Sequence, residues 1–163
     1  GSVSCVNVLL KHGAYIDMKN NKGWTPLLWA SGDGHLDIVK TLFENGANVN
    51  ARSYMGTIPL HHAVETGKLH VVKWLLKNGA DVNHRNEEEE STPLHYCAWE
   101  GHYDIAKVLI ENSADVNAVN RRNHSPLSFA NMRGNTRVAS LLRKNGSTQE
   151  QGGGGGEEDC RMQ

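Results

Sequence analysis

The prolines of this chain stand at 26, 59, 93 and 126, so successive prolines lie 33, 34 and 33 residues apart. This constrains the fold more than any other feature. Self-similarity at such a period means that one small unit is copied along the chain. Each copy then buries its apolar face against its neighbours rather than within itself. The glycine-alanine pairs keep the same beat, at Gly13-Ala14, Gly46-Ala47 and Gly79-Ala80, with Ser113-Ala114 following after one added residue.

Within each copy a turn leads to Thr/Ser/Ile-Pro-Leu, where proline fits the first turn of a helix because its missing N–H has no intrahelical acceptor there. Thr25, Thr92 and Ser125 precede the prolines as N-cap residues. A glycine (Gly34, Gly67, Gly101) then separates this short helix from a second one. The second helix carries apolar residues at helical spacing: Leu36, Val39, Leu42 and Phe43, then Leu69, Val72, Leu75 and Leu76, then Tyr103, Ala106, Leu109 and Ile110. Gly46 and Gly79 end it. The fold class expected is all-α, a helical solenoid of helix-turn-helix units with β-turn tips.

The stretch Thr92-Pro93-Leu94-His95, with Gly101-His102, Asp104-Ile105 and the close Ala114-Asp115-Val116-Asn117, resembles the ankyrin repeat family, and matching marks recur in every copy from Gly1 to Gly146. Leu28 and Ser128 depart from the pattern where His61 and His95 stand, and Ile58 replaces the usual Thr. The stretch NEEEES, Asn86 to Ser91, adds a residue and loses the turn glycine present at Gly23 and Gly56, which predicts a longer or distorted third turn. The boundaries read as a partial repeat at 1–19, repeats at 20–52, 53–85 and 86–119, a C-terminal capping repeat at 120–146, and a flexible glycine-rich tail at 147–163. Thr136 and Arg143 replace apolar residues on the last helix, as a cap requires. At the other end Val3, Val6, Leu9 and Leu10 align with a second helix lacking its first. This predicts exposed apolar surface and a chain cut from a longer array, able to touch itself through that half repeat or the tail.

Lys and Arg number 17 against 18 Asp and Glu, for a formal net charge of -1, so nothing draws the chain to nucleic acid or to an anionic membrane. No apolar run reaches membrane-spanning length. Three widely spaced cysteines, Cys5, Cys97 and Cys160, make no disulfide framework, and an intracellular setting is expected.

Catalysis and cofactors are not expected. The resemblance implies that His61 and His95 bond backbone between units, which leaves His62 alone; a zinc enzyme built on His61, His62 and His95 is the weakest of three readings. Cys97 occupies the core position of Ala30, Ala63 and Ala130. Gly152 to Gly156 lack the strand, Lys-Ser/Thr and helix of a phosphate loop. They suit a flexible terminus, or else a tether presenting Glu157 to Gln163 as a ligand. The resemblance further implies that Asn50, Asn83 and Asn117 match a loop asparagine that intracellular hydroxylation targets.

The resemblance implies a protein-binding module whose turn tips and first helices line a concave groove for a partner protein or peptide. The alternative is a regulatory or spacer segment of a larger enzyme, channel or ubiquitin-ligase adaptor. Carried onto this sequence, the groove positions include Trp24, Tyr54, Met55, Glu65, Trp99, Glu100, Arg121, Arg122, His124, Met132 and Arg133, with Trp29, Tyr96 and Phe129 sharing a half-buried position. Aromatics, Met and Arg are the residue types that concentrate binding energy. An acidic third turn beside a basic fourth suggests a ligand of mixed charge.

Overall fold

The computed structural model describes residues 2–148. Among them are nine helices in two layers. The inner layer holds α2 (Pro26–Asp33), α4 (Pro59–Glu65), α6 (Pro93–Glu100) and α8 (Pro126–Met132). The outer layer holds α1 (Val3–Lys11), α3 (Leu36–Glu44), α5 (Leu69–Lys77), α7 (Tyr103–Glu111) and α9 (Thr136–Lys144), and each helix packs on the next in its own layer. Each inner helix starts at its proline as expected. The hydroxyls of Thr25 and Ser125 accept from the N–H groups of Leu28 and Ser128, whereas the Thr92 hydroxyl lies 2.9 Å from His95 Nδ1.

The core repeats with the sequence. Leu27, Leu60, Leu94 and Leu127 are fully buried, as are Leu75, Leu109 and Leu142. Each contributes about 1.5–3 kcal/mol of transfer free energy. Cys97 is buried among them, its thiol donating to His102 O at 3.1 Å, and burial pushes its pKa up so that it stays an un-ionised thiol. Phe43 meets Trp74 of the next repeat edge-on at 5.2 Å, so Trp74 serves packing on the outer layer.

Polar ladders join the repeats. His61 Nε2 donates to Ser91 O at 3.2 Å while Nδ1 accepts from Ile58 N, and His95 repeats the pattern with His124 O at 3.0 Å and Thr92 N at 3.1 Å. Both rings are therefore neutral Nε2–H tautomers, and burial lowers their pKa values to about 3 for His61 and about 4 for His95. A second ladder runs through the loops. Asn50, Asn83 and Asn117 donate to the carbonyls of Gly79, Ser113 and Gly146 at 3.0, 3.0 and 3.2 Å. The same side chains accept from the N–H groups of Asp81, Asp115 and Thr148 at 2.9, 2.8 and 3.1 Å. Each carboxamide thus joins its loop to the loop of the next repeat. At the first rung stands Asp17, whose Oδ2 accepts from Asn48 N at 3.3 Å while Oδ1 is buried without a partner.

At the two ends the structure adds detail to the sequence reading. None of the α1 residues is buried, and Val8 and Leu9 are among the exposed large hydrophobics. At the other end the hydrogen bonding runs on through Ser147 and Thr148, past the expected start of the tail. The glycine run and the remainder of the tail lie outside the described residues.

Candidate functional site

The four turns and the inner helices α4, α6 and α8 line one face of the array, and each turn is held by its own hydrogen bonds. Each opens with an Asn or Ser whose side chain folds back on the turn. Asn20 Oδ1 accepts from Lys22 N and Trp24 N, at 2.9 and 3.0 Å, and Asn120 Oδ1 accepts from Arg122 N and His124 N, at 3.0 and 2.9 Å. Ser53 Oγ takes the N–H groups of Met55 and Thr57, both at 3.2 Å. Successive turns are stitched by Tyr54 N to Lys22 O, Glu87 N to Met55 O and Arg121 N to Glu89 O, at 3.4, 2.9 and 2.8 Å. Gly56, at φ +73°, lies so close to the next turn that a Cβ there would stand 2.5 Å from Glu87 N. The third turn is one residue longer, as expected. Its closing bond runs from Glu90 N to Asn86 O, and Glu90 takes the left-handed conformation, φ 55°, that Gly23 and Gly56 hold in the first two turns and Asn123, φ 60°, in the fourth.

A cavity of about 350 Å³ opens in this face. Its location follows from one repeat position, held by Trp24, Thr57, Ser91 and His124: the small residues of the two middle turns leave room and the large rings close the ends. A row of rings lies beneath. The position of Trp29, His62, Tyr96 and Phe129 is aromatic or imidazole in all four repeats. Trp24 contacts Trp29 and His62 at ring-centroid distances of 4.7 and 4.4 Å, and Trp99 and His124 contact Phe129 at 5.3 and 5.4 Å. Thr57 Oγ1 holds His62 Nε2 at 3.1 Å, which fixes the ring against Trp24.

Of the residues expected to bind, Trp24, Met55, Glu65, Trp99, Arg122 and His124 line this cavity, and the others do not. Tyr54 projects outward from the turn tip, 65% exposed. Arg121 turns back to Glu87 O at 3.1 Å and lies 3.6 Å from Glu90. Arg133 stacks on Trp99, 4.7 Å from its centroid, while Glu100 and Met132 stand exposed at helix ends. Sequence reasoning missed His62, Asn86 and Asn120. The aromatic character of the 29/62/96/129 position was the signal for His62. That position is not uniformly half-buried: Trp29 is 47% exposed and Phe129 only 4%.

The expected contrast of an acidic third turn with a basic fourth is cancelled within the protein. Glu89 pairs with Arg122 at 2.9 Å, Glu90 with Arg85 at 3.0 Å, and Glu87 with Arg52 at 3.8 Å. The arginines lie one repeat away in sequence, beyond what local pattern reveals, except Arg85. Burial and the Arg122 guanidinium lower the His124 pKa, so that ring is neutral near pH 7. Burial raises the Tyr96 pKa, and the carboxylates of Glu65, Glu88 and Glu89 add to the shift. No three His, Cys, Asp or Glu side chains among the described residues converge as metal ligands.

Family models for ankyrin repeats match residues 1–86 and 53–120, described as three copies, and residues 100–143, described as many copies. The chain belongs to the ankyrin-repeat family. Ankyrin repeats are protein-interaction modules and are generally not enzymes. The chain is also similar to protein phosphatase 1 regulatory subunit 27 of human and of mouse, 46% identical over 40 residues in each case. That match covers 24% of this chain and 26% of the relative, so the shared stretch spans about a quarter of each. No helix among the described residues is long and apolar enough to cross a membrane.

Proposed function

We propose that this ankyrin array is a protein-binding module that holds a segment of a partner protein against the inner helices and turn tips. The observation carrying this reading is the cavity between Trp24 and Trp99, lined by rings from four successive repeats: Trp24 and His124 on turns held by their own hydrogen bonds, and His62, Tyr96, Trp99 and Phe129 on the inner helices. Side chains held in place before binding lose little entropy when a ligand arrives. The mechanism is recognition, with no bond made or broken. At about 350 Å³ the cavity accepts one or two side chains of an extended or helical segment, not a folded surface.

The test is to isolate partners with the natural chain, purify each, and titrate it against the natural chain and a Trp24→Ala/Trp99→Ala variant of matched helical content. The reading predicts at least about a tenfold loss of affinity in the variant, since buried aromatic anchors dominate interfaces. A purified partner that binds both equally refutes it. A second reading, a segment that regulates an enzyme carried on another chain, is favoured by the relative's printed name, a regulatory subunit. In that case the purified partner is itself an enzyme and its rate changes on binding.

A further inference from the structure

The groove reading leaves open what kind of side chain the cavity takes, and the charges around it answer that. Three carboxylates, Glu65, Glu88 and Glu89, line the cavity beside two cations, Lys22 and Arg122. Arg122 is held by Glu89 at 2.9 Å. Glu88 makes no hydrogen bond or ion pair among the described residues, and the nearest charged or titratable partner of Glu65 is His62 Nδ1 at 3.6 Å. The rings add to this negative field, because the face of an aromatic ring attracts a cation. Both flanking tryptophans already show the preference, with Lys22 Nζ 5.7 Å from Trp24 and the Arg133 guanidinium 4.7 Å from Trp99. The acidic side chains also act on one place: Glu65, Glu88 and Glu89 all disfavour ionisation of the Tyr96 hydroxyl.

We propose that the cavity takes an arginine or lysine side chain from a basic segment of the partner protein, seated among Trp24, Tyr96 and Trp99, with its charge met by Glu65 and Glu88. This rests on the groove reading and narrows it. Lys22 and Arg133 have the opposite role: they stand on the Trp24 and Trp99 rings that the ligand needs and repel a basic chain, so the incoming cation displaces them from the ring faces.

The probe is a set of otherwise identical short peptides bearing a pair of arginines, a pair of citrullines, which keep the shape without the charge, or a pair of glutamates. Binding is followed by the indole N–H signals of Trp24 and Trp99, with Trp74 on the outer layer as the internal control. The expected result is saturable shifts at Trp24 and Trp99 with the arginine peptide, at least about fivefold weaker binding for citrulline, and weakest binding for glutamate. Glu88→Gln and Glu65→Gln each weaken the arginine peptide about three- to tenfold while leaving the citrulline peptide unchanged, and Lys22→Ala strengthens it. These three substitutions lie at exposed or half-exposed positions, so helical content is retained. Equal binding of arginine and citrulline peptides overturns the cationic ligand and leaves the groove standing. Preference for glutamate, shifts at Trp74 alone, or no shift at either groove indole also overturns it. The groove reading itself falls only by its own test, a purified partner indifferent to the loss of Trp24 and Trp99.

Discussion

Asp17 occupies a position that calls for asparagine, and replacing it should stabilise the protein. At the later rungs of the same ladder a carboxamide both accepts an N–H and donates to a carbonyl, as Asn83 does with Asp115 N at 2.8 Å and Ser113 O at 3.0 Å. A carboxylate can accept but has nothing to donate, so Asp17 Oδ1 lies buried without a partner; by equivalence with Asn50, Asn83 and Asn117, an amide there would donate to the Gly46 carbonyl. Asp17→Asn adds one hydrogen bond, about 0.5–1.5 kcal/mol, and removes an unsatisfied buried oxygen, about 1 kcal/mol or more. Against this, the bond from Asn48 N loses a charged acceptor, which costs up to about 1 kcal/mol. The net gain is about 1 kcal/mol, or roughly 3–4 °C in Tm for a chain of this size. Urea unfolding of the natural chain and the variant measures it, and slower amide exchange in α1 and the following loop locates it. The mirror substitution Asn83→Asp should cost about 1–2 kcal/mol. If Asp17→Asn gains nothing and Asn83→Asp loses nothing, the two-bond account of the ladder is wrong.

Acid should weaken the fold through His61 and His95. Their folded pKa values, about 3 and about 4, lie below the usual 6.5, so the unfolded chain binds more protons. Stability is full above about pH 6.5 and falls toward pH 4 by up to roughly 1.4 kcal/mol per unit for each ring; denaturant unfolding at pH 7 and pH 5 with equal free energies would contradict this. Ser113 holds φ 67° where Gly46, Gly79 and Gly146 stand in the other repeats, so Ser113→Gly should gain about 1 kcal/mol in thermal unfolding. Gly79→Ala, with nothing within 4 Å of the new Cβ, should cost about 1–2 kcal/mol, and Gly56→Ala clearly more, because its Cβ meets the Glu87 backbone. Equal losses at the two glycines would show that the turns can part.

The architecture was legible because the marks that define it are local and repeated. Each proline fixes a helix start, each Pro-Leu pair supplies a core leucine, and the extra residue before Ser91 announces a longer turn. The roles of His61 and His95 were legible by resemblance. The charge pattern was not: Glu89 finds Arg122, and Glu87 finds Arg52, only after stacking aligns side chains a full period apart. The shape of the groove depended on comparing one position down four repeats. Thr57 and Ser91 look unremarkable singly, and only between Trp24 and His124 do they define an opening. Likewise Trp29 and Phe129 share a register but not a burial: the rings of Trp99, His95 and His124 surround Phe129, whereas Trp29 meets one ring among the described residues, Trp24.

The ladders of His and Asn reach only the adjacent repeat, and this decides how the molecule comes apart. Among the described residues these ladders tie only neighbouring repeats, so opening proceeds one junction at a time. Within this chain α1 is the helix least held by packing, since none of its residues is buried. Much of the cavity's lining, from Thr57 to Trp99, sits on repeats flanked on both sides. Loosening of α1 leaves the ring row of the middle repeats in place, so on the proposed groove reading disorder of that helix and loss of binding are separable events.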